Sequence, residues 1–352
     1  MKKNWINKIG KIASILMVTA VVFTGCGASK EEKKTEQEVT AAKAEELATV
    51  RASAVSQGQD LWFGIIEEHT GIYEKNGIDL QTTEFAMGVN AVDAIATDQL
   101  DIGLLADYAI VNRIGNTAEN TDLSIFTEIS EGDTQTLYVE KGIKQASDLE
   151  GKHVATIAGT VYDYWYAKFF EKFSVDSAKV IIDQVTSPAE AVALAQEGNT
   201  SAFWTSEGGD TAAKLEALGW VPYTTKDNFD VGIYTVLVGN RTWLDSNKET
   251  VVKYLKATNE VINYIKENTD TVAEWIAEKT GQSKEIAKAT IEASIESLKL
   301  GFTTEAYEAL SEINAYALDN GNYDSAFDVA DFLDLEAVSE AFPENVSYHN
   351  PS

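Results

Sequence analysis

The sequence predicts an α/β protein in which helices flank mostly parallel sheets. From residue 50 onward, segments with the composition of strands alternate with amphipathic helical segments, which is typical of βαβ units and a parallel sheet. The clearest unit is residues 65–107, where a strand-like segment at 78–85 lies between two helical segments and Gly71 and Gly77 suit turns. Ligands of such sheets bind at the carboxyl ends of the strands.

The remaining elements are predicted from composition, period and caps. Ser187, Pro188 and Glu190 open a helix with a cap, a proline at the first position and a glutamate three residues after the cap. From residue 241 to about residue 320 the apolar residues follow a helical period. The other strands are predicted at residues 50–56, 101–105, 124–129, 136–140, 152–158, 180–185, 201–205 and 231–238.

Two extended segments, residues 136–140 and 231–238, are predicted to be crossings between two lobes. The first lobe would then contain residues 49–135 and 240–352, and the second lobe residues 136–239. The ligand cleft would lie between the lobes, because two α/β lobes that face each other bring their strand-end loops together.

The first 25 residues are typical of a secretory signal. Four lysines precede a short apolar run at residues 12–23, which is too short to cross a bilayer because a crossing needs roughly 20 residues. The sequence around Cys26, the single cysteine, resembles a bacterial lipobox, in which the cysteine is lipidated and becomes the first residue. Residues 26–48 would then be the lipidated cysteine and a flexible tether, which anchors the protein outside the cytoplasm to the cell membrane.

Composition limits the partners. The chain of 352 residues is 44% hydrophobic, which is enough for a sizeable core without disulfides, and its formal net charge is −28. Nucleic acid is excluded as a partner, since phosphate binding needs clustered lysine and arginine. The acidic balance is typical of a well-hydrated extracellular surface. We expect a monomer with no cofactor and no metal.

Two motifs carry a resemblance to a known family. The first is GIYEKNG at residues 71–77, which is followed by a strand and a small-residue helix, and the second is DQLDIG at residues 98–103. Over about residues 49–323 the chain resembles the solute-binding proteins of ABC importers, in the branch for nitrate, sulfonates, taurine and the pyrimidine precursor of thiamine. The resemblance implies a two-lobed, periplasmic-binding-protein-like fold of type II, a small-molecule solute and the permease subunits of an importer as partners.

The candidate site residues lie in loops that follow strands, where helix N-termini can hold anions and aromatic rings can stack on a flat ligand. For each loop, a plain turn with a helix cap is the alternative, and core packing is the expectation for Trp165 and Tyr166. The predicted ligand-binding residues are Gln59, Asp60, Trp62, Met87, Gly88, Asn90, Asp107, Tyr108, Gly159, Thr160, Tyr162, Tyr164, Trp204 and Glu207.

Charge in these loops favours one ligand class. Asp60, Asp107, Asp163 and Glu207 are present, whereas lysine and arginine are absent. Carboxylates suit a cationic or N–H-rich ligand, so the sequence favours a nitrogen heteroaromatic such as a thiamine pyrimidine precursor. Two alternatives stay open: the aspartates can be caps at helix starts, and taurine, an alkanesulfonate or nitrate can bind to helix N-termini.

An enzyme of another class is the remaining alternative. The same fold family includes pyrimidine synthases that use active-site histidine and lysine and a cysteine-rich iron site. This chain has only His69, His153 and His349, and its one cysteine is at the lipobox. No Ser-His-Asp arrangement, metal-ligand spacing or GxxxxGK loop is present in the sequence. We therefore expect a binding protein and no catalytic residues.

Overall fold

The computed structural model describes residues 47–56, 58–86, 88–117, 121–130, 135–157, 159–225, 227–229 and 231–349. All of them belong to one compact unit. The predicted signal, Cys26 and nearly all of the predicted tether lie outside the described residues, so those predictions stay untested. Within the described ranges, no helix is both long and apolar enough to cross a membrane.

Strands and helices alternate through the first two thirds of the chain, as the sequence predicts. The strands are β1 (Ala48–Val55), β2 (Ile78–Phe85), β3 (Ile102–Ala106), β4 (Leu123–Ser130), β5 (Gln135–Val139), β6 (His153–Ile157), β7 (Ile181–Val185), β8 (Ala202–Ser206), β9 (Val221–Pro222), β10 (Thr235–Asn240) and β11 (Leu298–Gly301). The helices are α1 (Gln59–Thr70), α2 (Ile72–Lys75), α3 (Gly88–Ala96), α4 (Asp107–Thr117), α5 (Tyr162–Lys172), α6 (Pro188–Glu197), α7 (Asp210–Ala217), α8 (Arg241–Ser246), α9 (Lys248–Glu267), α10 (Thr269–Thr280), α11 (Lys284–Ser294), α12 (Thr304–Asp319) and α13 (Glu336–Ala341).

Local signals set the helix ends that the sequence predicts. Ser187 caps α6 by accepting a hydrogen bond from the Glu190 backbone N–H at 3.3 Å, and Pro188 is the first helical residue. Gly198 ends this helix with a φ of 73°, a conformation in which glycine carries no steric penalty. The predicted start of α6 is therefore confirmed.

Six strands form one sheet, the large sheet, in the order β11-β4-β10-β3-β1-β2. β1 pairs in parallel with β2 and β3, whereas β10 is antiparallel to both β3 and β4. β1 to β4 thus run in one direction, and β10 returns against them. β10 begins at Thr235, five residues before residue 240, where the first lobe is predicted to resume, and the lobe boundaries stay a prediction.

The strands between residues 135 and 222, the small-sheet region, differ in detail from the expected single, mostly parallel sheet. β5 is antiparallel to β8 and β9, and β6 and β7 form a separate parallel pair. The two sheets touch where the Ser201 N–H donates to the His153 carbonyl at 2.8 Å. β5 follows β4 of the large sheet in the chain and is antiparallel to both of its neighbours. β10, the strand that returns to the large sheet, is likewise antiparallel to both of its neighbours.

The two crossings lie side by side, and one apolar cluster extends across them. The Gln135 N–H donates to the Val231 carbonyl at 3.1 Å, which joins the outgoing and returning segments. Leu137 and Trp204 of the small-sheet region belong to the same buried cluster as Val236 of the large sheet. The strand ends of both regions therefore meet over a shared core.

Candidate ligand-binding site

A cavity of about 490 Å³ lies where the large sheet faces the small-sheet region. The carboxyl ends of β1 and β8 both reach it, which is where ligands of α/β sheets bind. The lining residues are Ser56, Leu61, Trp62, Glu84, Thr205, Ser206, Gly209, Asp210, Thr211, Lys214, Ile276, Lys279, Thr280, Gly281, Gln282 and Thr290. Of the predicted site residues that the structure describes, Trp62 is the one in this lining.

Trp62 is positioned by the tight turn between β1 and α1. Gly58 precedes the helix in an extended conformation, and no side chain among the described residues caps this end. A Cβ at Gly58 would lie 2.5 Å from the Asp60 Oδ1 atom, so any other residue would displace that carboxylate. Trp62 is 6% exposed, and that exposed part borders the cavity.

The carboxylate of Asp60 is buried and holds the turn together. It accepts hydrogen bonds from the Ser53 hydroxyl at 2.6 Å and from the backbone N–H groups of Val55 and Leu61 at 3.1 Å each. Burial raises the pKa of Asp60 to about 6, although these hydrogen bonds oppose the shift. Its hydrogen-bond partners come from β1 and from its own helix. This arrangement favours a structural role at the helix start over a ligand contact.

Asp107 is placed in the same way at the end of β3. Its carboxylate accepts from the Tyr108 N–H at 2.6 Å and from the Tyr234 N–H at 3.0 Å, and its own N–H donates to the Tyr234 carbonyl at 2.9 Å. Burial raises the pKa of Asp107 to about 7. Tyr108 is buried, and its hydroxyl accepts from the Asn322 amide at 3.0 Å. Asp107 thus ties β3 to the segment that enters β10.

Trp204 is in the core rather than at the cleft. The structure gives it 0% exposure, with ring centroids of Trp165, Tyr166, Phe169 and Phe229 between 5.6 and 6.2 Å away. Its indole N–H has no hydrogen-bond partner among the described residues. Strand alternation turns this side chain toward α5, so the expected stacking face is covered by protein in this structure.

The loop between β6 and α5 also has internal partners. Gly159 has a φ of 75°, and the Thr160 hydroxyl donates to the Ile157 carbonyl at 2.7 Å. The Tyr162 ring stacks on Trp165 with centroids 5.3 Å apart. The Tyr164 hydroxyl donates to the Glu312 carboxylate at 3.2 Å. Of the four predicted site residues in this loop, Gly159 is exposed, and Thr160, Tyr162 and Tyr164 are half-buried or buried. None of the four is in the cavity lining.

The remaining predicted residues that the structure describes are outside the cavity lining. Gln59 is buried in the first turn of α1, and Glu207 is exposed after β8. Gly88 and exposed Asn90 begin α3, while Met87 lies outside the described residues. The structure therefore brings the ends of β1 and β8 together, and it leaves the α3, α4 and α5 loops outside this lining.

Two lysines that the sequence reasoning missed line the cavity. Lys214 lies one turn into α7, where its ammonium pairs with Asp210, and Lys279 is in the last turn of α10. The Lys279 ammonium is 3.3 Å from the Glu68 carboxylate and 3.7 Å from the Glu84 carboxylate. A search restricted to strand-end loops stops before Lys214, which lies one turn into α7. It cannot find Lys279, because α10 reaches the cavity only through tertiary packing.

Hydroxyl groups and a helix end complete the cavity. α7 follows Gly209, and no side chain among the described residues caps it. Thr205, Ser206 and Thr211 line the wall beside this helix start. Uncapped N–H groups, hydroxyls and ammonium groups are donors that suit an anion's oxygens. The lining also contains the carboxylates of Asp210 and Glu84, which pair with Lys214 and Lys279. An anionic group next to the apolar surface of Trp62 would therefore bind to the helix start, the hydroxyls and the remaining N–H donors of these two lysines.

A larger cavity, of about 830 Å³, lies at the carboxyl-terminal segment between residues 330 and 349. It contains no end of a parallel strand and none of the predicted site residues. The cavity at Trp62 is thus the better candidate, because strand ends of both sheet regions converge there.

Comparison with known proteins agrees with this fold. The model of the family described as NMT1/THI5 like matches residues 62–272. A Bacillus subtilis (strain 168) protein that carries the name of an aliphatic sulfonates-binding protein is 21% identical over 350 residues, which are 95% of this chain and 98% of that protein.

The solved structures that are similar to this chain include binding proteins and an enzyme. The alkanesulfonate-binding protein SsuA from Xanthomonas axonopodis pv. citri, bound to MOPS, superposes with a TM-score of 0.70 at 14% identity, over 83% of this chain and 100% of that one. The desulfurization enzyme DSZB superposes with a TM-score of 0.61 at 13% identity, over 84% of this chain and 99% of that one. At these identities the likeness establishes the periplasmic-binding-protein-like fold, and function depends on the site.

Proposed function

Because the chain belongs to the NMT1/THI5-like family, we propose that it is the solute-binding component of an ABC importer and that its solute is an alkanesulfonate. The observation that carries the ligand class is the meeting of Lys214, Lys279 and the uncapped start of α7 around one cavity with Trp62. A sulfonate has three acceptor oxygens and one negative charge, and its alkyl part would contact the indole. The names of the relatives support the same class.

The preference for a nitrogen heteroaromatic loses its main support. That preference rested on carboxylates in the strand-end loops. In the structure the carboxylates of Asp60 and Asp107 are buried and already accept hydrogen bonds from the protein. The cavity adds two ammonium groups that the loops lack, and each is paired with a carboxylate of the same lining, Asp210 or Glu84. The sulfonate alternative therefore fits the site better than a thiamine pyrimidine precursor.

Calorimetry with matched ligands tests the ligand class. We expect ethanesulfonate and taurine to bind and a hydroxymethyl-aminopyrimidine to bind at least tenfold more weakly. Replacing both cavity lysines (Lys214→Met and Lys279→Met) removes charged donors, each worth about 1.5–3 kcal/mol when desolvated, and should weaken ethanesulfonate at least tenfold. Lys288→Met is the matched control, since Lys288 pairs with Asp270 outside the cavity.

Two results would overturn the sulfonate assignment. One is tighter binding of the pyrimidine than of either sulfonate. The other is an equal effect of the cavity and control lysines, which would indicate general charge attraction instead of a site. Sulfite release from ethanesulfonate would instead favour an enzyme, and the desulfurization enzyme DSZB shares this fold.

The importer role also requires a place outside the cytoplasm. We propose that residues 1–25 are removed and that a lipid on Cys26 holds the protein on the membrane beside its permease. Two or more acyl chains anchor a protein far better than one, so Cys26→Ser should release the protein or leave its signal uncleaved. A Cys26→Ser protein that is cleaved and still resists a detergent-free wash would contradict the anchor.

A further inference from the structure

Three side chains that line the cavity at Trp62 are almost completely buried and carry a polar group without a hydrogen-bond partner. Trp62 is 6% exposed, and Thr205 and Thr211 are 8% exposed each. The indole N–H and the two hydroxyls form no hydrogen bond with any other described residue. Buried polar groups without a partner are rare in proteins, which indicates that a ligand in the cavity supplies the partners.

These three polar groups come from both sheet regions. Thr205 is in β8, and Thr211 is in the first turn of α7, beside the uncapped helix start. Trp62 is in α1, whose buried residues pack with those of the large sheet. A sulfonate at the start of α7 would use the two hydroxyls, and the indole N–H would then be available to the rest of the solute.

The wall that α10 and α11 contribute to the cavity is also polar. Thr280, Gln282 and Thr290 line it together with Ile276. The Gln282 side chain is half-buried and has no hydrogen bond within the part of the chain that the structure describes. The Thr290 hydroxyl donates to the Ile286 carbonyl at 2.9 Å, and its oxygen can still accept. A plain alkyl chain would leave the polar groups of this wall unused.

The charged groups of the lining balance one another. Lys214 pairs with Asp210, and Lys279 pairs with Glu84. The groups that lack partners are neutral, and hydroxyls and amides both donate and accept. A ligand hydroxyl can take either role, so it matches all of them. An ammonium group only donates, and it would lie in a cavity that already contains two ammonium groups.

The volume of the cavity favours a solute larger than ethanesulfonate. At about 490 Å³ it is within the range of about 300–1,000 Å³ that is usual for sites of drug-sized ligands. We propose that the solute is a hydroxylated alkanesulfonate larger than ethanesulfonate. Its sulfonate would lie at the start of α7, and its hydroxyls would bind to the Trp62 indole N–H and to Gln282. This inference rests on the proposed function and names its substrate class more finely.

Calorimetry of the whole chain with matched sulfonates tests the hydroxyl preference. The probes are 2,3-dihydroxypropane-1-sulfonate and propane-1-sulfonate, which share the carbon chain and the sulfonate. We expect the dihydroxy probe to bind about tenfold or more tightly, because the plain chain leaves polar groups of the site unpaired. For the same reason 2-hydroxyethanesulfonate should bind more tightly than taurine, in which an ammonium group replaces the hydroxyl.

Variants at the two walls locate the two ends of the solute. Gln282→Leu removes the amide, so it should weaken the dihydroxy probe several-fold and leave propane-1-sulfonate unchanged. Thr211→Val removes a hydroxyl beside the helix start and should weaken both probes by the same factor. Gln196→Leu is the matched control, because Gln196 is exposed on α6 and outside the cavity lining. Thr290→Val is the second variant of the α10–α11 wall if Gln282→Leu fails to fold by circular dichroism.

The outcomes separate this inference from the sulfonate assignment. If sulfonates bind but propane-1-sulfonate binds as tightly as the dihydroxy probe, the hydroxyl preference is wrong and the assignment stands. Tighter binding of taurine than of 2-hydroxyethanesulfonate, or an effect of Gln282→Leu no larger than that of Gln196→Leu, would have the same meaning. Failure of every sulfonate to bind would overturn the assignment and this inference together.

Discussion

Trp62 and Trp204 both lie beside the end of a strand, but they occupy opposite environments. Trp62 borders the cavity between the two sheet regions, next to two lysines and the start of α7. Trp204 is surrounded by four aromatic rings and has no exposed surface. Proximity to a strand end therefore does not by itself make an aromatic residue a ligand contact.

The difference arises from the element that carries each residue. Trp204 is within β8, where alternate side chains point to opposite faces, and its face is shared with Leu137 on the paired strand. Trp62 is in the first turn of α1, after the strand has ended. A helix start projects side chains into the space beyond the sheet edge, whereas a strand residue stays in the layer between sheet and helix.

The first prediction, which has the largest expected effect, concerns the free energy of unfolding and tests whether Trp204 is a core residue. Trp204→Ala should lower the free energy of unfolding by about 3–5 kcal/mol, the usual cost of truncating a buried large aromatic residue. Trp275→Ala is the control, since Trp275 is half-buried and stacks on His69 near the surface. Urea unfolding followed by circular dichroism gives both values, and a Trp204→Ala loss no larger than that of the control would contradict core packing.

The sequence predicted the α/β class and the order of the elements, but it did not predict the antiparallel pairing of β5 or the cavity. Period, caps and turn residues predicted the alternation of strands and helices and the start of α6, because these signals act over a few residues. The cavity depends on contacts between α1, α7 and α10, which are far apart in the chain. Lys279 has no local pattern that marks it, and the carboxylate of Asp60 gives the same sequence signal whether it caps a helix or binds a ligand.

The second prediction concerns the turn that positions Trp62. Burial raises the pKa of Asp60 to about 6, above about 3.9 in an unfolded chain. The folded state therefore binds the proton more tightly, so the Asp60 contribution to stability is greatest below about pH 4. It is lost as the pH rises through 6, by at most about 3 kcal/mol at 1.36 kcal/mol per pKa unit.

Urea unfolding between pH 4 and pH 8 measures this contribution. Asp60→Asn cannot ionise, so the decline in stability from pH 4 to pH 6 should be shallower than in the parent. Asp319→Asn is the control, because Asp319 is an exposed acid at the end of α12. Parallel curves for Asp60→Asn and the parent would mean that Asp60 is not the source of the pH dependence.

The third prediction concerns ligand affinity. If Trp62 is an anchor in the cavity, Trp62→Ala should weaken ethanesulfonate binding by about 1–3 kcal/mol. Trp62→Phe keeps an apolar ring and should lose less. Calorimetry at a temperature where both variants are folded gives the comparison. Unchanged affinity in Trp62→Ala would remove the tryptophan from the site.

The smallest expected effect concerns Glu207, which the sequence grouped with Trp204 as a ligand contact. Glu207 is exposed after β8 and is not in the cavity lining, so its charge acts on a bound sulfonate only through solvent. At about 0.15 M salt the screening length is about 8 Å, and Glu207→Gln should improve ethanesulfonate affinity by less than about 0.5 kcal/mol. The same change should leave stability within about 0.5 kcal/mol, as is usual for a surface substitution. A tenfold or greater loss of affinity would show that Glu207 contacts the ligand, and it would mean that the lobes close further around the solute than this structure shows.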